Sequence, residues 1–391
     1  MAKRRKRDGR RKPWTGYAAQ AKNGTWGAFF PKPGGGHHVR KGFDTRENAE
    51  AWLDSLVKQR DDKGDVKGGQ QRVSAWVDTW ATRATKERDW KAKMVADVTW
   101  KLGYVKPFIG DMAVVDVLPD HVDAIWDDLR QSLAETTVNQ IRNYLFQVFE
   151  EARQRRYITY NPVLKPQRRK RAKQREPQRL SAPQAALLVR RAETSFYGLA
   201  WWVALIFGLR AGEICGLRWG DLDLDSAILT VAQEVTDVRG TATFDKPKGD
   251  KIRHLPIPRA LVPLLRLHYQ AVTHRAAQGT RRGTWINNGL VFPGRSGRGM
   301  NPTSLRHQLK ALTDATLLPP VTTHMLRHTA AKFYTDAGTP RELVAAILGH
   351  TTGITGHYGP PDVETLRPWV EKVYRGLAGE VEAARRKEQA G

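Results

Sequence analysis

Between Lys165 and Arg179 the chain carries a dense basic block, Arg168-Arg169-Lys170-Arg171 followed by Lys173, interrupted by Pro166 and Pro177. Like charges packed this closely repel one another and cannot enter a core, and each proline withholds a backbone donor. The block therefore reads as an exposed tether, residues 166–179, that can track a phosphate backbone. A chain of 391 residues cut at that point must fold as separate bodies. A second basic block, Lys3-Arg4-Arg5-Lys6-Arg7 with Arg10-Arg11-Lys12, opens the sequence. Residues 1–12 are expected to form an arm that orders only against phosphate.

The charge is not confined to these blocks. Lys and Arg number 65 against 40 Asp and Glu, a formal net charge of +25, with a pI near 10.3. Such a field selects polyanions, and nucleic acid is the commonest of them. A membrane surface is the other polyanion, but no basic helix shows the exposed aromatics of an interfacial anchor. Nothing approaches the roughly 18 consecutive apolar residues that span a bilayer, and Met1 to Lys12 lack the apolar stretch of a signal peptide. A cytoplasmic protein is expected. The sole cysteine, Cys215, rules out an intrachain disulfide or a cysteine-based zinc cluster. In Glu213-Ile-Cys215-Gly-Leu217 it reads as a small buried apolar side chain.

Periodicity divides the rest. Segments at Tyr17-Ala-Ala, Trp26 to Phe30 and Val39 to Phe43 predict three short strands, and Ala49, Trp52, Leu53 and Leu56 recur at helical spacing after Asp44-Thr45. A small sheet covered by one helix is expected over 13–60. After a polar, Gly-rich linker, residues 69–165 show four helical patterns, starting at Val73 and covering Lys91–Tyr104, Asp120–Ser132 and Thr136–Arg155. From Leu180-Ser181, where a new helix is capped, a larger α-rich body is expected to run over 180–378. It includes strands at Ile228–Ala232, Ala242–Phe244 and Ile252–Ile257, and residues 379–391 read as a polar, frayed tail.

Several residues in the larger body carry chemistry. Arg210 follows the apolar run Trp201 to Phe207, and Glu213 three residues on could orient it; a surface i,i+3 ion pair is the plainer reading. Lys248 sits in Lys246-Pro-Lys248-Gly-Asp250 between two strands, where a lysine can reach a DNA groove or simply touch phosphate. Lys246 and Lys251 compete for that assignment. His324-x-x-Arg327 places an imidazole and a guanidinium on one helix face, able to converge on one phosphate. His328, four residues after His324, raises a zinc reading, but the glutamate of a zinc-protease helix is missing. His350 follows Leu348-Gly349, and Tyr358 is a phenol able to attack phosphorus once neighbouring cations favour its ionised form.

In order and spacing, Phe207-Gly-Leu-Arg210-Ala-Gly-Glu213, Leu217-Arg-Trp219-Gly-Asp221, His324-Met-Leu-Arg327-His328, Leu348-Gly349-His350 and Tyr358 resemble the tyrosine recombinases, specifically the phage-type integrases. The resemblance implies a multidomain, mainly α fold with small β-sheets: an arm-type DNA-binding domain, a helical core-site-binding domain, and a catalytic domain with a β-hairpin carrying Lys248. It implies Arg210, Lys248, His324, Arg327 and His350 around a phosphodiester, with Tyr358 as nucleophile and Lys248 as general acid. Lys248 is preferred because it stands eight residues before Pro256. The separation of His350 from Tyr358 is one residue shorter than is usual in the family. Lys3, Arg4, Arg5, Arg168, Arg169, Lys170 and Arg171 are expected to contact DNA.

The implied partners are double-stranded attachment sites and three further copies in a homotetramer, with residues Asp362 to Leu377 docking on a neighbour. A directionality factor and a host DNA-bending protein are further implied partners; no cofactor or metal is implied. The alternatives are a type IB topoisomerase and an architectural DNA-binding protein without cleavage.

Overall fold

The structure is a computed structural model that describes residues 16–21, 24–31, 37–61, 69–164, 178–238, 240–247, 252–279, 284–314, 318–350 and 361–390. The chain divides into two compact units, Met1–Ala172 and Lys173–Gly391.

In the first unit, strands β1 (Tyr17–Gln20), β2 (Trp26–Pro31) and β3 (His37–Phe43) form an antiparallel sheet in sequence order. Tyr17 opposes Phe29 and their rings stack at 5.0 Å. Helix α1 (Arg46–Asp61) covers the sheet through Ala49 and Leu53, which are buried with Ala28, while Trp52 packs at the margin against Phe43. The side chain of Leu56 lies outside the described residues.

Five helices follow: α2 (Val73–Glu87), α3 (Ala92–Gly103), α4 (Lys106–Ile109), α5 (Pro119–Ser132) and α6 (Glu135–Gln154). The short α4 and a 3-10 turn at Val114–Asp116 lead from α3 into α5. The core of these helices is aromatic, with Trp76, Trp80, Trp126 and Phe149 fully buried. Trp76 keeps its indole N–H satisfied by donating to the Val148 carbonyl at 3.0 Å.

The second unit is built around α8 (Gly198–Phe207), a helix apolar on every side and buried along its length. It is preceded by α7 (Ala182–Ala192), whose start is fixed by a capping box: Ser181 Oγ accepts from the Gln184 N–H, and Gln184 accepts from the Ser181 N–H. The short α9 (Ala211–Gly216) leads to two small antiparallel sheets. One is ordered β4 (Leu222–Asp223), β5 (Ile228–Val231), β8 (Arg253–Pro256); the other pairs β6 (Glu234–Val238) with β7 (Thr241–Asp245).

This arrangement differs from the strands read in the sequence. β6 was not foreseen, because Glu234 to Val238 carries charge on a half-buried edge. The hairpin is β6 with β7, turning at Gly240, whereas β8 pairs with β5. Lys248, in the segment between β7 and β8, lies outside the described residues.

Helices α10 (Val262–Gln278), α11 (Pro302–Asp314), α12 (Thr323–Asp336) and α13 (Arg341–Leu348) complete the wall, and Gly338, at φ +79, makes the turn after α12. The last helix, α14 (Val363–Ala390), is one continuous element. The stretch expected to fray, 379–390, continues this helix: Val381 is buried, and Arg385 pairs with Glu193 on the segment after α7. Leu366, Val370, Val373, Tyr374 and Leu377 are buried in the unit's own core, and Tyr374 lies against Trp202 with ring centroids 5.4 Å apart. The segment expected to dock on a neighbour is thus engaged within its own chain.

Candidate active site

Arg210 stands at a break between two helices. α8 ends at Gly208, whose φ of +59 is strained for any residue with a side chain. A Cβ there would also lie 2.2 Å from Leu348 Cδ2 and 3.3 Å from Ala330 Cβ. The chain then extends through Arg210, which caps α9. Glu213 reaches back to it: the Arg210 backbone N–H donates to Oε2 at 2.9 Å and Arg210 Nη1 donates to Oε1 at 2.8 Å. The carboxylate is sealed, while 29% of the Arg210 side chain remains open to solvent.

A third group, absent from the sequence reading, completes this arrangement. Arg253 on β8 donates through Nη1 to Glu213 Oε1 at 3.1 Å and through Nη2 to Oε2 at 2.8 Å. Burial pushes the Glu213 carboxyl upward, but the hydrogen bonds and charges of Arg253 and then Arg210 outweigh it. The net displacement is downward, so Glu213 is an anion at neutral pH. The only sequence signal for Arg253 was its alternation with Leu255, which puts both on the inward face of the strand.

Arg327 enters from the opposite side. Thr322 caps α12, its Oγ1 accepting from the Met325 N–H at 3.1 Å. His324 and Arg327 are one turn apart, yet His324 is exposed and Arg327 is only 4% exposed. Arg327 Nη1 donates to the Gly208 carbonyl at 2.6 Å and Nη2 donates to the Leu348 carbonyl. Burial first, and then repulsion from Arg210, bring its pKa down to about 10, which still leaves it charged at neutral pH.

Helix α13 ends at Gly349 in the left-handed region, with His350 N–H bonded to the Ala345 carbonyl at 2.9 Å. Burial around the His350 ring, followed by the charges of Arg327, Arg210, His328 and Arg253, lowers its pKa. His328 is lowered too, by burial and then by His324, Arg179 and Arg327. The rings of His324 and His328 meet edge to face at 4.4 Å. Among the described residues no group of three or more His, Cys, Asp or Glu side chains is arranged to hold a metal ion.

The structure thus gathers Arg210, Glu213, Arg327 and His350, with His324 beside them on α12. Lys248 and Tyr358 lie outside the described residues, as do Lys3, Arg4, Arg5, Arg168, Arg169, Lys170 and Arg171. Lys246 is exposed at the end of β7. Cys215 is fully buried and its thiol is pushed up to about 12 by desolvation, which makes it a packing residue. Chemically, two guanidinium groups close enough to depress the pKa of the His350 imidazole form a local positive field that can hold a phosphate and stabilise added negative charge on it.

A model described as "Phage integrase family" matches residues 178–360, and one described as "Phage integrase central domain" matches residues 73–168. The chain is 30% identical over 179 residues to the tyrosine recombinase XerC-like protein of Caldanaerobacter subterraneus subsp. tengcongensis, covering 41% of this chain and 46% of that protein. It is 29% identical over 178 residues to tyrosine recombinase XerC of Xanthomonas campestris pv. campestris, covering 45% and 44%. The chain spans about half the length of these curated relatives.

Among solved structures, the Tn1549 transposon integrase in complex with transposon right end DNA superposes with a TM-score of 0.54 at 18% identity, covering 77% of this chain and 99% of that one. The lambda integrase tetramer bound to a Holliday junction gives a TM-score of 0.56 at 17% identity, covering 88% and 94%. At these identities the likeness is one of fold.

Proposed function

Because the chain belongs to the phage integrase family of tyrosine recombinases, we propose that it is a site-specific DNA recombinase, the integrase of a phage or other mobile element. The observation that carries this reading is the convergence of Arg210, Arg327 and His350 on one space, with a buried anion, Glu213, holding Arg210.

In this reading Tyr358 Oη attacks the scissile phosphorus, forming a tyrosyl–phosphate bond on the 3′ side as the bond to the 5′ oxygen breaks. The departing oxygen takes a proton from Lys248. Arg210 and Arg327 neutralise the charge that grows on the non-bridging oxygens, and His350 and His324 donate hydrogen bonds to it. The 5′ hydroxyl of a partner strand then attacks the phosphotyrosine, restoring a phosphodiester and freeing the tyrosine. One phosphoester bond is exchanged for another at each step, so no external energy source is needed.

The partners follow by likeness. The lambda integrase forms a tetramer on a Holliday junction, and the same assembly on two attachment sites is proposed here. The sheet-and-helix domain of 13–60 would bind arm-type sites, and the helices of 69–165 the core site. Lys3, Arg4, Arg5, Arg168, Arg169, Lys170 and Arg171 would contact the DNA backbone, with a directionality factor and a host DNA-bending protein as accessory partners. No helix among the described residues is long and apolar enough to cross a membrane; a cytoplasmic location is part of the proposal.

The test is covalent capture. The protein is incubated with fragmented host and element DNA and denatured, and the strands linked to it are sequenced, with Tyr358→Phe as control. A few discrete sequences that disappear in the control are expected. Capture spread over all sequences would indicate a topoisomerase, and tight binding with no adduct would indicate an architectural protein.

A further inference from the structure

Glu213 is a buried anion beside a cation that has to bind phosphate. With Arg210 as its only partner, the pair would carry no net charge, and the carboxylate would compete with DNA for the same guanidinium. Arg253 changes that balance. It approaches both carboxylate oxygens with two N–H groups, the fork geometry that binds carboxylates most strongly. Arg210 is left with one side-chain contact to Glu213, so its remaining donors are available to a ligand. Two cations against one anion leave the cluster with a net positive charge.

The same guanidinium also braces the segment leading to His350. Arg253 Nε donates to the Ile347 carbonyl at 3.2 Å, and its Nη1 lies so close to Gly349 that a Cβ there would sit 2.9 Å away. Only 10% of the Arg253 side chain is exposed, so it is placed to act on its neighbours and not on DNA.

We propose that Arg253 is a positioning residue for strand cleavage: it neutralises Glu213, which leaves Arg210 free for the scissile phosphate, and it fixes the turn that presents His350. This rests on the recombinase reading for the identity of the reaction, but not for the geometry.

Three variants test it on a duplex bearing the core sequence recovered by covalent capture, with the rate of adduct formation measured at saturating DNA. Arg253→Gln should slow the reaction by on the order of 10²-fold with little change in DNA Kd, as for loss of one charge-stabilising group in an active site. Arg253→Lys, which keeps the cation, should remain within about tenfold of wild type. The double variant Arg253→Gln/Glu213→Gln should be faster than Arg253→Gln alone, because the carboxylate that captures Arg210 is gone. A merely structural role predicts the opposite order, with the double variant slower. That result, or an Arg253→Gln rate within threefold of wild type, would overturn the proposal.

If Arg253→Gln does not fold, Arg253→Lys decides: a rate as low as that of Tyr358→Phe counts against it. If the wild type forms no adduct, the recombinase reading has failed, and crystal structures of the free protein still decide the role of Arg253. Arg210 gripping Glu213 through two N–H groups in Arg253→Gln is the expected result, and an unchanged Arg210 is the contrary one.

Discussion

The α12 wall that carries Arg327 and the turn after α8 that carries Arg210 bring the same charge to one space by different means. Arg327 is sealed, and two of its N–H groups are used on the carbonyls of Gly208 and Leu348, the last turns of two separate helices. Arg210 is partly open and is held by a side chain, Glu213, which a second arginine also holds. The contrast shows how a cation can serve the fold and the reaction in different proportions. Arg327 joins backbone to backbone, so removing it exposes polar atoms within the core. Arg210 can leave without orphaning its partner.

The sharpest way to break this contrast is to truncate both. Arg327→Met leaves two buried carbonyls unpaired, each at about 1–3 kcal/mol, so a stability loss of about 3 kcal/mol is expected in denaturant titration. Arg210→Met should cost about 1 kcal/mol or less, since Glu213 keeps both contacts from Arg253. Both variants should lose covalent capture. Equal destabilisation by the two would remove the distinction.

Gly208→Ala probes the junction that the two arginines share. A left-handed backbone costs an L-residue about 1–2 kcal/mol, and the overlap with Leu348 adds to it. A loss of about 2 kcal/mol is expected, together with reduced adduct formation, because the carbonyl that Arg327 holds must shift. Wild-type stability in Gly208→Ala would mean that the turn adjusts freely.

The smallest effect is that of pH. His350 and His328 have folded pKa values below their ordinary value, so between the ordinary value and the folded one the unfolded chain binds more protons. Stability must therefore fall as pH drops from about 6.5. Glu213, also depressed, adds a loss in the same direction at lower pH, as its carboxylate becomes protonated. A denaturation midpoint that declines from pH 7 to pH 5, and declines less in His350→Asn, is expected; a midpoint that rises toward pH 5 would contradict the assigned directions.

Much of this was legible in the sequence. The apolar run before Gly208, the i,i+3 pair of Arg210 with Glu213, and the His324-x-x-Arg327 spacing each encode a local geometry, and local geometry follows from helical period and glycine placement. The role of Arg253 was not legible: its alternation with Leu255 marks an inward-facing position, but its partners lie 40 and 94 positions away in the chain. The burial of Arg327 was hidden for a similar reason. Its exposed neighbour His324 shares the same spacing, and only the packing of α8 and α13 against α12 decides which of the two is sealed. The pairing of β8 with β5 instead of β7 was likewise a long-range choice.

The position of α14 bears on how this protein is made. The first helix of the second unit, α7, packs against the last, α14, and Val370, Tyr374 and Val381 supply part of the same core as Leu188 and Trp202. During synthesis every candidate catalytic residue emerges from the ribosome before α14 does. Until α14 follows, the nascent second unit has an open apolar face and an incomplete wall, and contacts so distant in sequence form late. The proposed recombinase would thereby lack a complete second-unit core until α14 has been made.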